Sequence, residues 1–346
     1  MSCIFIILTG CKAGNIDYPP KLPNGLQVND LAESTPAIEP PSPSKEIIIN
    51  VDDYKEYKQG EVSDWKAITA AIEAATVKSA SVLRFENRIY HIDDPDIGFT
   101  NGSVHFILEG LSDIILDGQG AELRFHHIKR AFAFLNCDRV ITKNLVIDWD
   151  PPMASPGVVE TDKMGRTVIR VVGDFEVNEN SPVGCISEYD IKNMKWKMDG
   201  LELYYPTDVE LTADNTFYSP SFTMFKQGME VLLRHYTYEA HAFDFSQQDN
   251  RNLQFEGITI YQCPGMAFVS AGGDSGFRIA DCTIKRREGT NNLISATADG
   301  VHFGGIIGNI IIEDCDFSHM GDDSVNIHGN WMQIVEQEGN KTLCIS

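Results

Sequence analysis

Two short stretches hold three aspartates at a spacing that suits acid–base work: Ala298-Asp299-Gly300-Val301-His302-Phe303 and Gly321-Asp322-Asp323-Ser324-Val325-Asn326-Ile327-His328-Gly329. Asp299 and Asp322 lie 23 residues apart, about the length of one coil in a β-solenoid. Residues one coil apart stack on neighbouring rungs. With strands about 4.8 Å apart, their carboxyls are expected within roughly 5 to 6 Å of each other. Hydrolysis of a glycosidic bond asks for such a group: one acid protonates the departing oxygen, and another activates a water or attacks the anomeric carbon. Three carboxylates this close cannot all ionise cheaply, so at least one pKa is expected to rise, leaving a protonated acid beside a charged base. Successive strand residues face opposite sides, so Asp322 and Asp323 both reach solvent only if the chain bends, and Gly321 makes such a bend cheap. A lone Asp117-Gly118, by contrast, is expected only to cap a turn.

The elements that must position these residues are short β-runs broken by Gly, Asn and Asp from Val82 onward. Leu253 to Ile260, Phe277 to Ile284 and Ile310 to Phe317 share one pattern of strand, polar corner and strand, and their starts fall 24 and 33 residues apart. A constant core with variable loops predicts an all-β, right-handed parallel β-helix. A first β-run, Ile47 to Tyr54, precedes Ser63-Asp64-Trp65, after which Trp65, Ile68, Ala71, Ile72 and Ala75 keep helical spacing behind a Ser/Asp cap. One amphipathic helix there suits a lid over the open end of the coil stack. Between Asp150-Pro151-Pro152 and about Ala242 the coil pattern gives way to alternating runs such as Thr167 to Val172 and Met229 to Arg234, which predict a small inserted antiparallel β-domain. The expected division is a lipoprotein signal over 1–11, a flexible linker over 12–46, β-helix over 47–150, the insertion over 151–245, and β-helix again over 246–346. No recognisable cap follows the run ending at Ile345-Ser346, so the coil stack is expected to continue past it.

At 346 residues and 42% apolar composition the chain can bury a substantial core. Its formal charge of −22 disfavours nucleic acid and acidic polysaccharides and suits neutral or cationic substrates. The eight cysteines form no CxxC pair and no zinc-like spacing, so no metal site is expected; Cys263, Cys282 and Cys315 each adjoin an apolar run and are expected to be reduced interior residues of successive coils. The N-terminus, Ile4-Phe5-Ile6-Ile7-Leu8-Thr9-Gly10-Cys11, ends like a bacterial lipoprotein box. It predicts lipidation at Cys11 and an exported protein held at a membrane surface by that anchor alone, periplasmic or on the cell surface.

Ile294 to Phe303 followed by His319 to Gly329 resembles glycoside hydrolase family 110, the bacterial exo-acting α-1,3-galactosidases, within the polygalacturonase-like β-helix superfamily. Cys263-Pro264-Gly265-Met266-Ala267-Phe268, Val51-Asp52-Asp53 taken as a strand, and Leu232-Leu233-Arg234-His235 in the insertion extend the resemblance over most of Ile47 to Ser346. It implies a parallel β-helix, glycans with terminal α-linked galactose as substrate (blood-group-B-type glycans included), and an inverting mechanism without metal or cofactor. The family's three catalytic acids fall on Asp299, Asp322 and Asp323. By analogy with the polygalacturonase arrangement, Asp322 is expected to be the general acid, with Asp299 and Asp323 activating water. His302, His319 and His328 are candidate hydrogen-bond partners of the sugar or of the groups that hold it. Arg234, Arg286 and Arg287 are candidates for binding hydroxyls or a carboxylate, and Trp331 for stacking on a sugar face. The rival expectations are a polygalacturonase-type pectin hydrolase, which needs cations for uronate carboxylates, and a noncatalytic glycan-binding β-helix adhesin. Clustered aspartates would also suit a calcium-dependent lyase.

Overall fold

The computed structural model describes residues 37–57, 63–94, 103–179, 181–212, 215–246 and 249–329, with the backbone of the strands Phe5–Thr9, Ile334–Glu338 and Thr342–Ile345. Three ladders of parallel strands run through it. The first joins Ile48–Asn50, Val82–Arg84, the leading halves of Ser112–Phe125 and Asp138–Trp149, Arg251–Glu256, Ser275–Ala280 and Asn309–Glu313. Phe5–Thr9 pairs in parallel with its last strand. The second takes Ile89–Ile92, the trailing halves of the same two long strands, Thr259–Ile260, Thr283–Ile284 and Asp316–Phe317. The third holds Val104–Glu109, Arg130–Leu135, Phe243–Asp244, Phe268–Ser270, Val301–Gly304 and Val325–His328. A chain that visits three parallel ladders in turn, one rung further each time, is a parallel β-helix.

The repeated sequence pattern has a local cause. Between the first and second ladders the chain turns through one residue in the left-handed region: Asn144 (φ 55°), Gly257 (62°), Asp281 (52°) and Asp314 (51°). These residue types tolerate that conformation, which most side chains resist. The corner residues therefore recur while the apolar flanks keep register. Leu253 pairs with Phe277 and Phe277 with Ile310, as the repeat spacing predicts.

Inside, aromatic rings continue from rung to rung. Phe132, Phe243 and Phe268 stack with centroids 5.5 and 5.1 Å apart. Each is fully buried, and burying such a side chain contributes about 1.5–3 kcal/mol. Cys263 and Cys282 are buried, Cys315 is partly so, and all three thiols are free.

The helix Trp65–Lys78 turns Ala67, Ile68, Ala71, Ile72 and Ala75 inward, onto a core that includes Ile49 and Leu83. The expected cap is not made. Asp64 forms no side-chain cap bond; its carboxylate accepts instead from the Arg88 guanidinium at 3.1–3.2 Å and from the His91 amide at 3.1 Å, a stronger charged partner than a helix amide. The early β-run stops at Asn50. Val51–Tyr57 is a 3-10 helix rather than a strand, with Asp52 held by Arg88 at 2.8 Å and by the Tyr90 hydroxyl. Part of the linker expected over 12–46 lies along the first ladder, since Glu39 bonds to Asn252 and Gln254, and Ser42 to Asp113; the rest of it lies outside the described residues, as do Cys11 and Trp331.

An eight-stranded antiparallel sheet interrupts the coils. Its strands run from Ala154–Thr161 to Glu230–Arg234, and it has a core of its own built on Val159, Ile169, Ile186, Phe217, Val231 and Leu233. It leaves after Trp149, the end of a second-ladder strand, and rejoins at Phe243 in the third ladder. The insertion therefore stands at the corner between those two ladders. Asp299, Asp322 and Asp323 occupy the same corner two and three rungs further on, just ahead of Val301–Gly304 and Val325–His328.

Candidate active site

Register decides which aspartates meet. Val301 pairs with Val325 and Phe303 with Ile327, and the Gly300 amide donates to the Asp323 carbonyl at 2.9 Å. The step is therefore 24 residues, which puts Asp299 level with Asp323 and not, as the 23-residue spacing predicted, with Asp322. Inward-facing Val301 and Phe303 fix this, because a slip of one residue would turn them outward.

Asp299 is buried, 2% exposed, whereas Asp322 and Asp323 are exposed. Burial pushes the Asp299 carboxyl above the ordinary range; the charges of Asp322 and Asp323 add to the rise, and the hydrogen bond with His302 opposes it. That bond is short: Oδ2 lies 2.5 Å from His302 Nδ1. His302 Nε2 in turn lies 3.1 Å from His328 Nε2, because one rung places Gly304 beside His328. Asp322 takes a different partner. Its Oδ2 accepts from the Tyr238 hydroxyl at 3.1 Å, and burial raises the Tyr238 pKa so that the phenol stays a donor.

The chain bends at Gly321 and Asp322 before the strand begins at Val325, which lets both acids reach solvent. Gly321 serves closeness more than flexibility here. Its φ is not left-handed, but a Cβ on it would lie 2.1 Å from the Thr297 carbonyl oxygen and 2.7 Å from Arg234 Nη1.

Arg234 is the principal correction among the expected sugar ligands. It is completely buried, donating through Nη1 to the Thr297 and Gly321 carbonyls at 2.9 and 2.8 Å and through Nη2 to Glu202 at 2.6 Å. It cannot touch a substrate; it ties the inserted sheet to the turn that carries Asp322 and Asp323. Arg286 donates to the Asn292 carbonyl at 3.0 Å and rests on Met194. The exposed His319 lies within reach of the charges of Arg286 and Asp316, the first of which adds to partial desolvation in lowering its pKa. Arg287 is paired with Asp148 and Glu122.

Beside the acids lies a cleft of about 360 Å³ lined by Tyr238, His241, Met266, Ser270, His302 and His328, among others. His241 is neutral, its pKa lowered to about 4 by burial, and its Nδ1 accepts from the Met266 amide at 3.1 Å. Among the described residues no group of three or more His, Cys, Asp or Glu is arranged to hold a metal ion, and no helix is long and apolar enough to cross a membrane. Tyr238, His241 and Tyr204, whose ring lies 6.5 Å from that of Tyr238 at 10°, carry no motif in the sequence. The one signal for Tyr238 and His241 is position, since His235-Tyr236-Thr237-Tyr238 marks the return from the insertion to the coils, whereas Tyr204, on the inserted strand Glu202–Tyr204, has none.

No protein-family model matches the chain. Curated relatives do. It is 25% identical over 274 residues to α-1,3-galactosidase A of Shewanella woodyi, covering 73% of this chain and 44% of that one. It is 24% identical over 329 residues to α-1,3-galactosidase B of Bacteroides thetaiotaomicron, covering 84% and 52%, and 25% identical over 260 residues to α-1,3-galactosidase A of Bacteroides fragilis, covering 70% and 42%. The chain is a relative of the bacterial α-1,3-galactosidases. The resemblance read from the aspartate motifs is thereby borne out, and the chain spans about half the length of the α-1,3-galactosidases it matches. Among solved structures, the Gp54 tailspike of Acinetobacter baumannii bacteriophage AP22 in complex with A. baumannii capsular saccharide aligns at 10% identity over 89% of this chain and 48% of that chain, with a TM-score of 0.19. That score carries no argument, and the β-helix stands on the strand pairing alone.

Proposed function

We propose that the chain carries the catalytic coils of an exo-acting α-1,3-galactosidase that removes terminal α-linked galactose with inversion. The observation that carries this reading is the meeting of Asp299, Asp322 and Asp323 at one corner, one buried and two open, beside a cleft of sugar-binding size. Asp322 protonates the leaving oxygen. Asp299, with Asp323, takes the proton of the attacking water: the rise expected for the acid falls instead on buried Asp299, where a raised proton affinity makes a stronger base than an ordinary carboxylate. His302 holds Asp299 in place through the 2.5 Å bond. The terminal galactose occupies the cleft between Tyr238 and His328.

The described residues lining that cleft include no lysine or arginine, which supports a neutral sugar over a uronate. The Leu8-Thr9-Gly10-Cys11 box supports export and anchoring through lipid at Cys11; cleavage before Cys11 removes Phe5–Thr9 and frees the edge of Asn309–Glu313 that it covers. The test is release of galactose from an α-1,3-linked galactosyl disaccharide by the wild-type protein, by Asp322→Asn, and in EDTA. Release that is lost in the variant and indifferent to EDTA is expected. Cleavage of polygalacturonate alone would move the site to the pectin-type reading, and sugar binding without turnover would make it an adhesin.

A further inference from the structure

A second hollow, of about 210 Å³, lies between the inserted sheet and the catalytic turn. One wall is Met320, Gly321 and Asp322; the other comes from the insertion and includes Glu188, Trp196, Lys197 and Glu202. We infer that this hollow receives the sugar that leaves, and that the insertion thereby selects which α-galactosides are cut. The inference rests on the galactosidase reading and extends it to the other side of the scissile bond.

The position of Asp322 is the first argument. It lines this hollow, and its carboxylate is held at 3.1 Å by Tyr238, which lines the main cleft. A group that protonates a glycosidic oxygen has to stand between the two sugars that the oxygen joins. With the terminal galactose over His302 and His328, the leaving sugar falls on the side of Trp196.

The chemistry of the walls is the second. The half-buried Trp196 has its Nε1 tied to the Met320 carbonyl at 2.8 Å, and Tyr189 packs edge-on to it at 5.1 Å and 78°. Its ring is therefore fixed before any ligand arrives, which spares the cost of ordering it. Glu202 is fixed as well, accepting from Arg234 and from the Ser187 hydroxyl, each at 2.6 Å, yet its side chain remains 40% exposed. Glu188 and Lys197 pair at 3.6 Å nearby. A rigid aromatic face ringed by oriented acceptors and one cation suits the apolar face and hydroxyl rim of a pyranose. Glu188, Asp199 and Glu202 against Lys197 leave the hollow negative even with Asp322 protonated, so the sugar it takes is neutral and not a uronic or sialic acid.

The experiment compares kcat/KM for an α-1,3-galactosyl disaccharide with that for α-galactosyl fluoride, whose leaving group is too small to use the hollow. Trp196→Ala is expected to lower the disaccharide-to-fluoride ratio about tenfold, mainly through KM for the disaccharide. Trp196→Phe, which keeps a ring but loses the bond to Met320, should restore most of it. Lys197→Ala, on the exposed rim, should lower the ratio by a smaller factor. A ratio within twofold of wild type in Trp196→Ala and Lys197→Ala would overturn the inference while leaving the galactosidase reading intact, as would a fall in both substrates together that Trp196→Phe fails to relieve. No turnover of either substrate by wild type would instead remove the galactosidase reading, and the inference with it.

Discussion

Replacing Gly321 by alanine puts the geometry of the acid turn to a direct test. The new Cβ would lie 2.1 Å from the Thr297 carbonyl oxygen and 2.7 Å from Arg234 Nη1. Carbon–oxygen contacts relax only at about 3.3 Å, so the turn must retreat by roughly 1 Å. Neither neighbour can yield freely, because Arg234 is buried and bonded to both Thr297 and Gly321 and Thr297 sits in the coil, its amide bonded to Cys263. Overpacking of this kind costs about 1–3 kcal/mol of stability. Because the residue next in line is Asp322, a displacement of about 1 Å should also cost on the order of 100-fold in kcat. Thermal unfolding and galactose release from an α-1,3-linked disaccharide measure the two effects. Gly329→Ala is the control, as no atom of the described residues lies within 4 Å of its Cβ position. A Gly321→Ala protein as stable as wild type and within threefold of its activity would refute the reasoning.

Further outcomes follow from the same site. Asp299 binds its proton more tightly folded than unfolded, so its contribution to stability is full at low pH and is lost as pH rises through the folded pKa; Asp299→Asn should therefore abolish turnover yet melt at or above the wild-type temperature at pH 7, and a clear loss of stability there would contradict the burial argument. As a base Asp299 must be ionised, so the acid limb of kcat/KM should fall away above the ordinary carboxylate value of about 3.9; a limb midpoint at or below that value would count against its role. Tyr238→Phe removes the donor to Asp322 and should lower kcat about tenfold with little change in KM, whereas an unchanged kcat would show that the bond does not bear on catalysis.

The coil stack was legible in the sequence because its cause is local. The left-handed corner demands Asn, Gly or Asp, as at Asn144, Gly257, Asp281 and Asp314, and the apolar flanks keep register between Leu253, Phe277 and Ile310. The gathering of Asp299, Asp322 and Asp323 at one corner was legible for the same reason, the three being tied to coil ends. Their pairing was missed by one residue because Val301 and Val325, not the aspartates, set the register. Arg234 reads as a sugar ligand in the sequence, since an arginine is rarely buried without partners that only the fold supplies, here two carbonyls and Glu202. Tyr238 and Trp196 were not legible at all. What makes them matter is the lean of the insertion over later rungs, a long-range contact that no local pattern records.

The anomer released first from an α-1,3-galactosyl disaccharide, followed by proton NMR, tests the central claim most directly. Water activated by Asp299 and Asp323 on the face opposite a leaving group protonated by Asp322 gives β-galactose first. Initial α-galactose, or no galactose from a folded protein, would contradict it.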